Sequence, residues 1–354
     1  MASLLISQFS SLKISLFADS MKEEIRTLMN NQLIREAAAQ WSGHGKIELL
    51  DDVANFVYQF RSEKRWKILR ITHSSHRTED QILAELDWVN FLAEHTVPVA
   101  KPCYSRNKRL TEVFHMDDTY FTAVVFEFAP GQLIENADPA EWNPNLFHSM
   151  GRIIGSMHRI AKEYHPDHLS QRRPHWHEDD LIQHARQYLP PEQMQAADEL
   201  DEILQQFSQL PTSADDYGLI HSDVNPTNFH VENGKITLFD FDDCAYNWFV
   251  NDIAVAMPLY SSMFKKPDWE SRLCEFIVSF MRGYEEENHL DDKWLNLLPI
   301  CMRLQNLITL VAMHQAHIPG SQYHSFYELV LNTYREGHPL FDYDFREACK
   351  FLKS

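Results

Sequence analysis

The chain of 354 residues is long enough for two lobes around a sizeable core, and with 44% hydrophobic and 12% aromatic residues it has the composition of an ordinary soluble globular protein. Lys and Arg number 32 against 51 Asp and Glu, a formal charge of −19, which disfavours nucleic acid and anionic membranes as partners because both require a positive surface. The same acidity suits a cationic substrate and equally serves solubility.

Residues 1–20 mix Leu and Ile with Ser, and Lys13 interrupts the apolar run. The segment is too short and too broken to span a membrane, no clear small-residue cleavage site follows, and it reads as a loose arm or an upstream start. Met21-Lys22-Glu23-Glu24 opens an amphipathic helix. From about residue 46 short strands take over, and 55–60 and 66–71 flank a polar turn at 61–64 as a hairpin. A helix over 78–94 starts at Thr78, with Gln81 completing a capping box, and carries Ile82, Leu86 and Val89 at helical spacing. Strands then continue to Phe128.

Strand, strand, helix and further strands is the order of a kinase-type small lobe. There, a cation on the third strand contacts ATP phosphates and pairs with a helix carboxylate. Arg70 and Glu85 are the candidates, since Lys67 lies an odd number of residues from Arg70 and so faces the other side. Val124-Val125-Phe126-Glu127-Phe128-Ala129-Pro130-Gly131 runs from a strand into a linker whose backbone can read adenine, with Phe126 and Phe128 walling its faces. A structural strand ending in a Pro-Gly turn has the same sequence pattern. No Gly-x-Gly-x-x-Gly loop occurs; only Gly43 and Gly45 precede the first strand.

Beyond the linker the chain turns helical. Residues 147–164 bury Met150, Ile153, Ile154 and Met157 on one face, and 272–287 and 294–315 form further helices, the last too polar between its apolar clusters to span a membrane. Cys103, Cys244, Cys274, Cys301 and Cys349 are far apart without a Cys-x-x-Cys pair, as reduced thiols of a cytoplasmic protein would be, and Cys244 reads as a buried structural thiol. His165, His168, His175 and His177 fit no helical metal motif.

The most specific stretch is Leu219-Ile220-His221-Ser222-Asp223-Val224-Asn225-Pro226-Thr227-Asn228, followed by Ile236-Thr237-Leu238-Phe239-Asp240-Phe241-Asp242-Asp243. Between them, Asn233-Gly234 joins two alternating runs as a type I′ hairpin, in which Glu232 faces Lys235 and Asn228 falls opposite Phe239. Strict alternation would point Asn228 and Asp240 to opposite faces, so the chain must leave strand geometry there. Asp223 precedes Asn228 by the spacing of a kinase catalytic loop, in which the Asp orients a hydroxyl while an Asn and a later Asp coordinate Mg2+. Oxygen ligands suit a hard cation that also keeps water and phosphates in its shell. An acidic surface loop, with calcium or no metal, accounts for Asp-Phe-Asp-Asp alone but not for its conjunction with the hairpin and the His-x-Asp-x-x-x-x-Asn spacing.

This stretch resembles the phosphotransferase family that includes aminoglycoside phosphotransferases, choline and ethanolamine kinases and a homoserine kinase branch. The family pattern is His-Gly-Asp-x-x-x-x-Asn, an apolar strand, Asp-Phe with an acidic or small residue, then a Tyr/Phe-Asp-Leu/Ile-Ala element, represented here by Phe249-Val250-Asn251-Asp252-Ile253-Ala254. Ser222 stands where Gly is usual and Asn225 where His or Leu is common; neither is a metal or base position.

The resemblance implies an α+β, two-lobed protein-kinase-like fold, with a mixed nucleotide-binding lobe over 21–128 and a larger, mainly helical catalytic lobe over 129–354. It implies ATP and Mg2+ as cofactors, a turn at 50–55 in place of the glycine-rich loop, Asp223 as base, and Asn228 and Asp240 as metal ligands. Arg70 would steady the phosphates, His221 would brace the catalytic loop, and Asp252 would fasten it as the family's structural Asp. The acceptor would be a small-molecule hydroxyl on an amino alcohol, a hydroxyamino acid or an aminoglycoside. Asp242 or Asp243 would meet an amino group and Tyr246, Trp248 and Phe249 would wall a cationic headgroup; a hairpin cap and hydrophobic packing are the plain alternatives. A protein Ser/Thr kinase and a non-catalytic nucleotide-binding interaction protein are the competing readings, the intact Asp223, Asn228 and Asp240 standing against the second.

Overall fold

The computed structural model describes residues 23–52, 54–134, 142–166, 172–257 and 269–315, so the segment 1–20, His168 and Cys349 lie outside the described residues. Helices α1 (Glu23–Leu28) and α2 (Asn31–Gln40) replace the single amphipathic helix expected near Met21. They are separated because Asn30 caps α2, its side chain accepting from the amides of Gln32 and Leu33 at 3.0 Å.

Strands β1 (Gly43–Asp51), β2 (Phe56–Ser62), β3 (Arg65–His73), β4 (Thr111–Met116) and β5 (Thr119–Glu127) form one antiparallel sheet in the order β1-β2-β3-β5-β4. β1 takes in both glycines that were expected ahead of it. The β2–β3 turn is tighter than expected: Glu63 and Lys64 alone make it, with φ of 48° and 71°, so the strands run on to Ser62 and from Arg65. Two left-handed residues match the twist of paired strands, which is why so short a connection closes.

One sheet face buries Phe56, Tyr58, Phe60, Leu69, Ile71, Phe121, Ala123 and Val125 against Leu33, Ala37 and Ala38 of α2. Helix α3 (Glu79–Glu94) begins with the capping box read from the sequence: the Gln81 amide donates to Thr78 Oγ1 at 3.3 Å, and the Thr78 amide to Gln81 Oε1 at 2.9 Å. Its Ile82 and Leu86 pack on Val124 of the sheet, whereas Trp88, Val89 and Leu92 turn into the large core of the second half. The helix therefore belongs to both halves of the molecule.

After Glu127 a short strand β6 (Gln132–Leu133) leads into the helical half. Strand β7 (Tyr217–Ile220), the hairpin of β8 (Phe229–Glu232) and β9 (Lys235–Leu238), and β10 (Ala245–Trp248) complete two small sheets, ordered β6-β8-β9 and β10-β7. Around them lie α4 (Pro144–Ala161), α5 (Met194–Phe207), α6 (Phe249–Ala256), α7 (Trp269–Glu285) and α8 (Leu298–Gln315). α4 starts at an Asn143 cap with Pro144 in its first turn, and buries Met150, Ile153, Ile154 and Met157 as expected. α5 has no counterpart among the sequence expectations, although its buried Ala196, Ala197, Leu200, Ile203 and Phe207 recur at helical spacing.

α4 and α7 cross on glycine. A Cβ on Gly151 would lie 1.8 Å from the Phe280 carbonyl oxygen, and one on Gly283 2.0 Å from that of His148. The stretch Asp292–Gln315, expected to be too polar, is by length and composition apolar enough to cross a membrane, but 56% of its apolar window is buried. Leu298, Leu304, Leu307 and Leu310 sit in the large core, the setting of a core helix.

Candidate active site

The Asn-Gly hairpin has the register read from the sequence. Asn233 and Gly234 take φ of 52° and 73°, Glu232 pairs with Lys235, and the Phe239 amide donates to the Asn228 carbonyl at 3.0 Å. The required departure from strand geometry occurs at Asp240, whose φ of 61° follows the end of β9 at Leu238. Its carboxylate then lies 3.9 Å from Arg70 Nη1, across from the sheet lobe.

β7 delivers His221 and Ser222 to the start of the loop, where Ser222 is left-handed at φ 68°. Asp252, fully buried in α6, accepts the backbone amides of His221 at 2.9 Å and Ser222 at 2.7 Å. The ring of His221 donates from Nε2 to the Phe239 carbonyl at 3.1 Å and accepts the Asp223 amide on Nδ1 at 3.3 Å. One imidazole thus ties the loop to the strand end carrying Asp240. Asn228 donates from Nδ2 to Asp223 Oδ2 at 2.8 Å and to the Asp223 carbonyl at 2.9 Å. Its side-chain oxygen has a 3.4 Å contact from Thr227 Oγ1.

Across the cleft, Arg70 and Glu85 form a buried bidentate pair, with Nη1–Oε1 2.9 Å and Nη2–Oε2 2.5 Å, and the guanidinium lies 5.2 Å over the ring of Phe126. Lys67 points the other way, to Cys103 Sγ at 3.1 Å and Glu127 at 3.8 Å. Phe128 packs its ring 5.6 Å from His230 of β8, where the linker meets the second lobe.

Half of the Asp240 side chain opens to the cleft. The surrounding walls nevertheless desolvate its carboxyl and push it up to about 8; Arg70 opposes the rise, and the nearby Asp242 and Asp243 add to it. A divalent cation relieves that crowding, and an amide oxygen beside a carboxylate is the donor set a hard ion takes. Among the described residues no group of three or more His, Cys, Asp or Glu is arranged to hold a metal. A divalent cation held by Asn228 and Asp240 would take the rest of its shell from water and phosphate.

The residues expected on the acceptor side are placed unequally. Asp242 is turned inward: its side chain is 10% exposed and accepts from His76 Nε2 at 2.8 Å. Burial opposes its charge, yet Arg77, His76 and Arg70 together hold its carboxyl well below the usual carboxylate range. Trp248 is buried among Trp176, Phe207 and Tyr217, and its Nε1 donates to the Pro211 carbonyl at 2.9 Å. Phe249 is buried too, stacked on His158. Short strand β10 and the turn into α6 face these rings inward, leaving Tyr246 half-buried under Arg172 at 5.9 Å. Asp243 stays open, its side chain 60% exposed with Arg77 Nη2 at 2.9 Å. Cys244 is buried beside it, its thiol pushed up to about 12 by burial.

Sequence reasoning missed His76, Arg77 and Arg173, which hold the Asp242 loop, and His158, which donates from Nε2 to Asp252 at 3.2 Å. No local spacing marks them. His76 and Arg77 precede an N-cap and look like turn residues, and His158 lies within an apolar helix face.

A five-stranded antiparallel lobe with a buried Arg–Glu pair, set over a helical lobe with a braced Asp–Asn loop, defines a phosphotransferase of the protein-kinase-like class. The family model described as phosphotransferase enzyme family matches residues 46–294. Amicoumacin kinase of Bacillus subtilis (strain 168) is 36% identical over 301 residues, which cover 84% of this chain and 88% of that protein. The structure of amicoumacin kinase hAmiN in complex with AMP-PNP, Ca2+ and Ami matches with a TM-score of 0.85 at 31% identity, covering 92% of this chain and 99% of that one. A microcompartment-associated aminopropanol kinase shares the fold with a TM-score of 0.69 at 22% identity, covering 88% and 99%. The chain belongs to the phosphotransferase enzyme family; it is an ATP-dependent kinase acting on the hydroxyl of a small molecule.

Proposed function

We propose that this kinase transfers the γ-phosphoryl group of ATP to amicoumacin or a related hydroxyl compound, with Mg2+ as its ion and Asp223 as its base. The observation that carries the reading is the Asp223–Asn228 pair at 2.8 Å together with Asp240 standing 3.9 Å from Arg70 of the sheet lobe. The extent of likeness to amicoumacin kinases supports the acceptor. The open carboxylate of Asp243 and the net charge of −19 favour an acceptor bearing a cationic group. Reduced thiols fit a cytoplasmic enzyme; Cys103, Cys244, Cys274 and Cys301 are all free.

In this mechanism the acceptor hydroxyl donates a hydrogen bond to the Asp223 carboxylate, which takes its proton as the oxygen bonds to the γ-phosphorus and the bond to the β–γ bridging oxygen breaks. Asn228 fixes the orientation of that carboxylate, and the two amides held by Asp252 fix the height of the loop. Arg70, kept rigid by Glu85, meets phosphate oxygens. Asn228 and Asp240 would hold Mg2+, which when bound neutralises charge developing on the phosphates.

An ATP/Mg2+ consumption screen tests this, over amicoumacin, amino alcohols, hydroxyamino acids, sugars and aminoglycosides. Asp223→Ala should lose turnover by about 10²-fold or more while ATP binding stays nearly intact. Full activity in Asp223→Ala would remove Asp223 as the base. Phosphate transfer to proteins alone would make the chain a protein kinase on the same scaffold, and silence with ATP bound would favour a binding role.

A further inference from the structure

Three carboxylates lie within four residues at the mouth of the cleft, and they are not equivalent. Asp240 and Asp243 have side chains 50% and 60% exposed, whereas Asp242 between them is turned inward at 10%. A carboxylate stays ionised in such a place only where charge and hydrogen bonds replace its water. Here they come from the small lobe. His76 Nε2 lies at 2.8 Å and Asn55 Nδ2 at 3.5 Å from Oδ2, while Arg77 Nε at 3.7 Å and Arg70 Nη1 at 4.0 Å face Oδ1. Asn55 is itself fixed by the Thr72 hydroxyl of β3 at 2.6 Å, and it ends the turn expected to lie over the phosphates. From the helical lobe Arg173 stitches the same loop to the start of α3, donating to the carbonyls of Asp242 at 2.5 Å, Cys244 at 2.8 Å and Gln81 at 3.1 Å.

We propose that Asp242 is a positioning residue for Asp240: it ties the metal-side loop to the nucleotide-side turn and neutralises the cations that would otherwise seek Asp240. The inference rests on Asp240 as a metal ligand, as proposed above. The physical content is competition. Arg70 Nη1 stands 3.9 Å from Asp240 and 4.0 Å from Asp242, so one guanidinium is shared between the two carboxylates. With Asp242 neutral, Asp240 becomes the carboxylate left to that side of Arg70, and a guanidinium drawn onto it excludes a divalent cation. His76 acts at one further remove, by holding Asp242 where it can serve.

The test is equilibrium binding of Mn2+ to the full-length protein with ADP present, read by electron paramagnetic resonance, for wild type, Asp242→Asn, His76→Ala, their double variant and Asp240→Asn. KM for ATP, KM for the acceptor and the ligand-free melting temperature are measured beside it. Asp242→Asn should weaken Mn2+ binding about tenfold and His76→Ala a few-fold, and the double variant should bind no more weakly than Asp242→Asn, because contacting residues do not add. The acceptor KM should move by less than about twofold. Loss of all Mn2+ binding in Asp242→Asn with none in His76→Ala would make Asp242 a direct ligand and overturn the proposal. So would a change confined to acceptor KM, or one confined to melting temperature. If Asp242→Asn does not fold, His76→Ala decides alone, unchanged Mn2+ binding refuting the link. Unchanged binding in Asp240→Asn would instead overturn the reading of the metal site itself.

Discussion

His158 is held between two partners with no exposed surface, donating to Asp252 at 3.2 Å and meeting the Tyr284 hydroxyl at 2.9 Å, its ring parallel to Phe249 at 4.5 Å. Burial holds its pKa below the ordinary 6.5 despite the neighbouring carboxylate. The unfolded chain therefore binds a proton near pH 6.5 that the folded chain refuses, and stability falls as pH drops through 6.5 toward the lowered native value. Relative to His158→Gln, the wild type should lose melting temperature as pH falls from about 7 to 5; the lowered His73, His175 and His314 and the oppositely acting, raised Asp240 carboxyl contribute alike to both proteins and drop out of that difference. Parallel curves for the two proteins would take His158 out of the pH response. At this scale the sequence discloses that Asn228 lies opposite Phe239, one step from Asp240, because one tight hairpin sets that register by counting. It does not disclose Asp242's inward turn, because His76 lies 166 residues upstream and nothing local reports such a contact.

Elements with a local signal were legible, and those whose shape depends on a neighbour were less so. The Asn-Gly hairpin and the Thr78 capping box have chemistry that acts within a few residues, and both stand as read. The polar residues of α8 mask how apolar the helix is, and burial in the large core accommodates its apolar run. The meeting of α4 and α7 was invisible, since Gly151 and Gly283 reveal their purpose only when the helices touch. Gly151→Ala should cost about 1–3 kcal/mol, measured by urea unfolding, because a methyl 1.8 Å from a carbonyl oxygen must part the helices. Activity should fall with it, as α4 also carries His158 to Asp252. A stability change within about 0.5 kcal/mol would mean that the crossing has slack.

Across the whole molecule, the small-lobe sheet and the helical lobe communicate through α3. Glu85 of α3 pairs with Arg70 of β3, and neither is exposed beyond 4%. Removing one partner from a buried pair strands the other's charge, so Glu85→Ala should destabilise by about 3–5 kcal/mol and raise the KM for ATP together. Thermal melts and initial rates would check both, and a variant that melts like wild type would show Arg70 to be well satisfied by Asp240 and Asp242 alone. The kinase-like order of strands and helix predicted this pairing, but not that Trp88, Val89 and Leu92 on the same helix would lie in the other lobe's core. That double membership bears on how such an enzyme can be taken apart. A fragment ending near Glu127 would carry a tryptophan and two aliphatic side chains with no floor beneath them, and its complement would have a hole of the same shape. The sheet lobe is thus not an exchangeable cassette: grafted onto another phosphotransferase it would need the surface under α3 to travel with it.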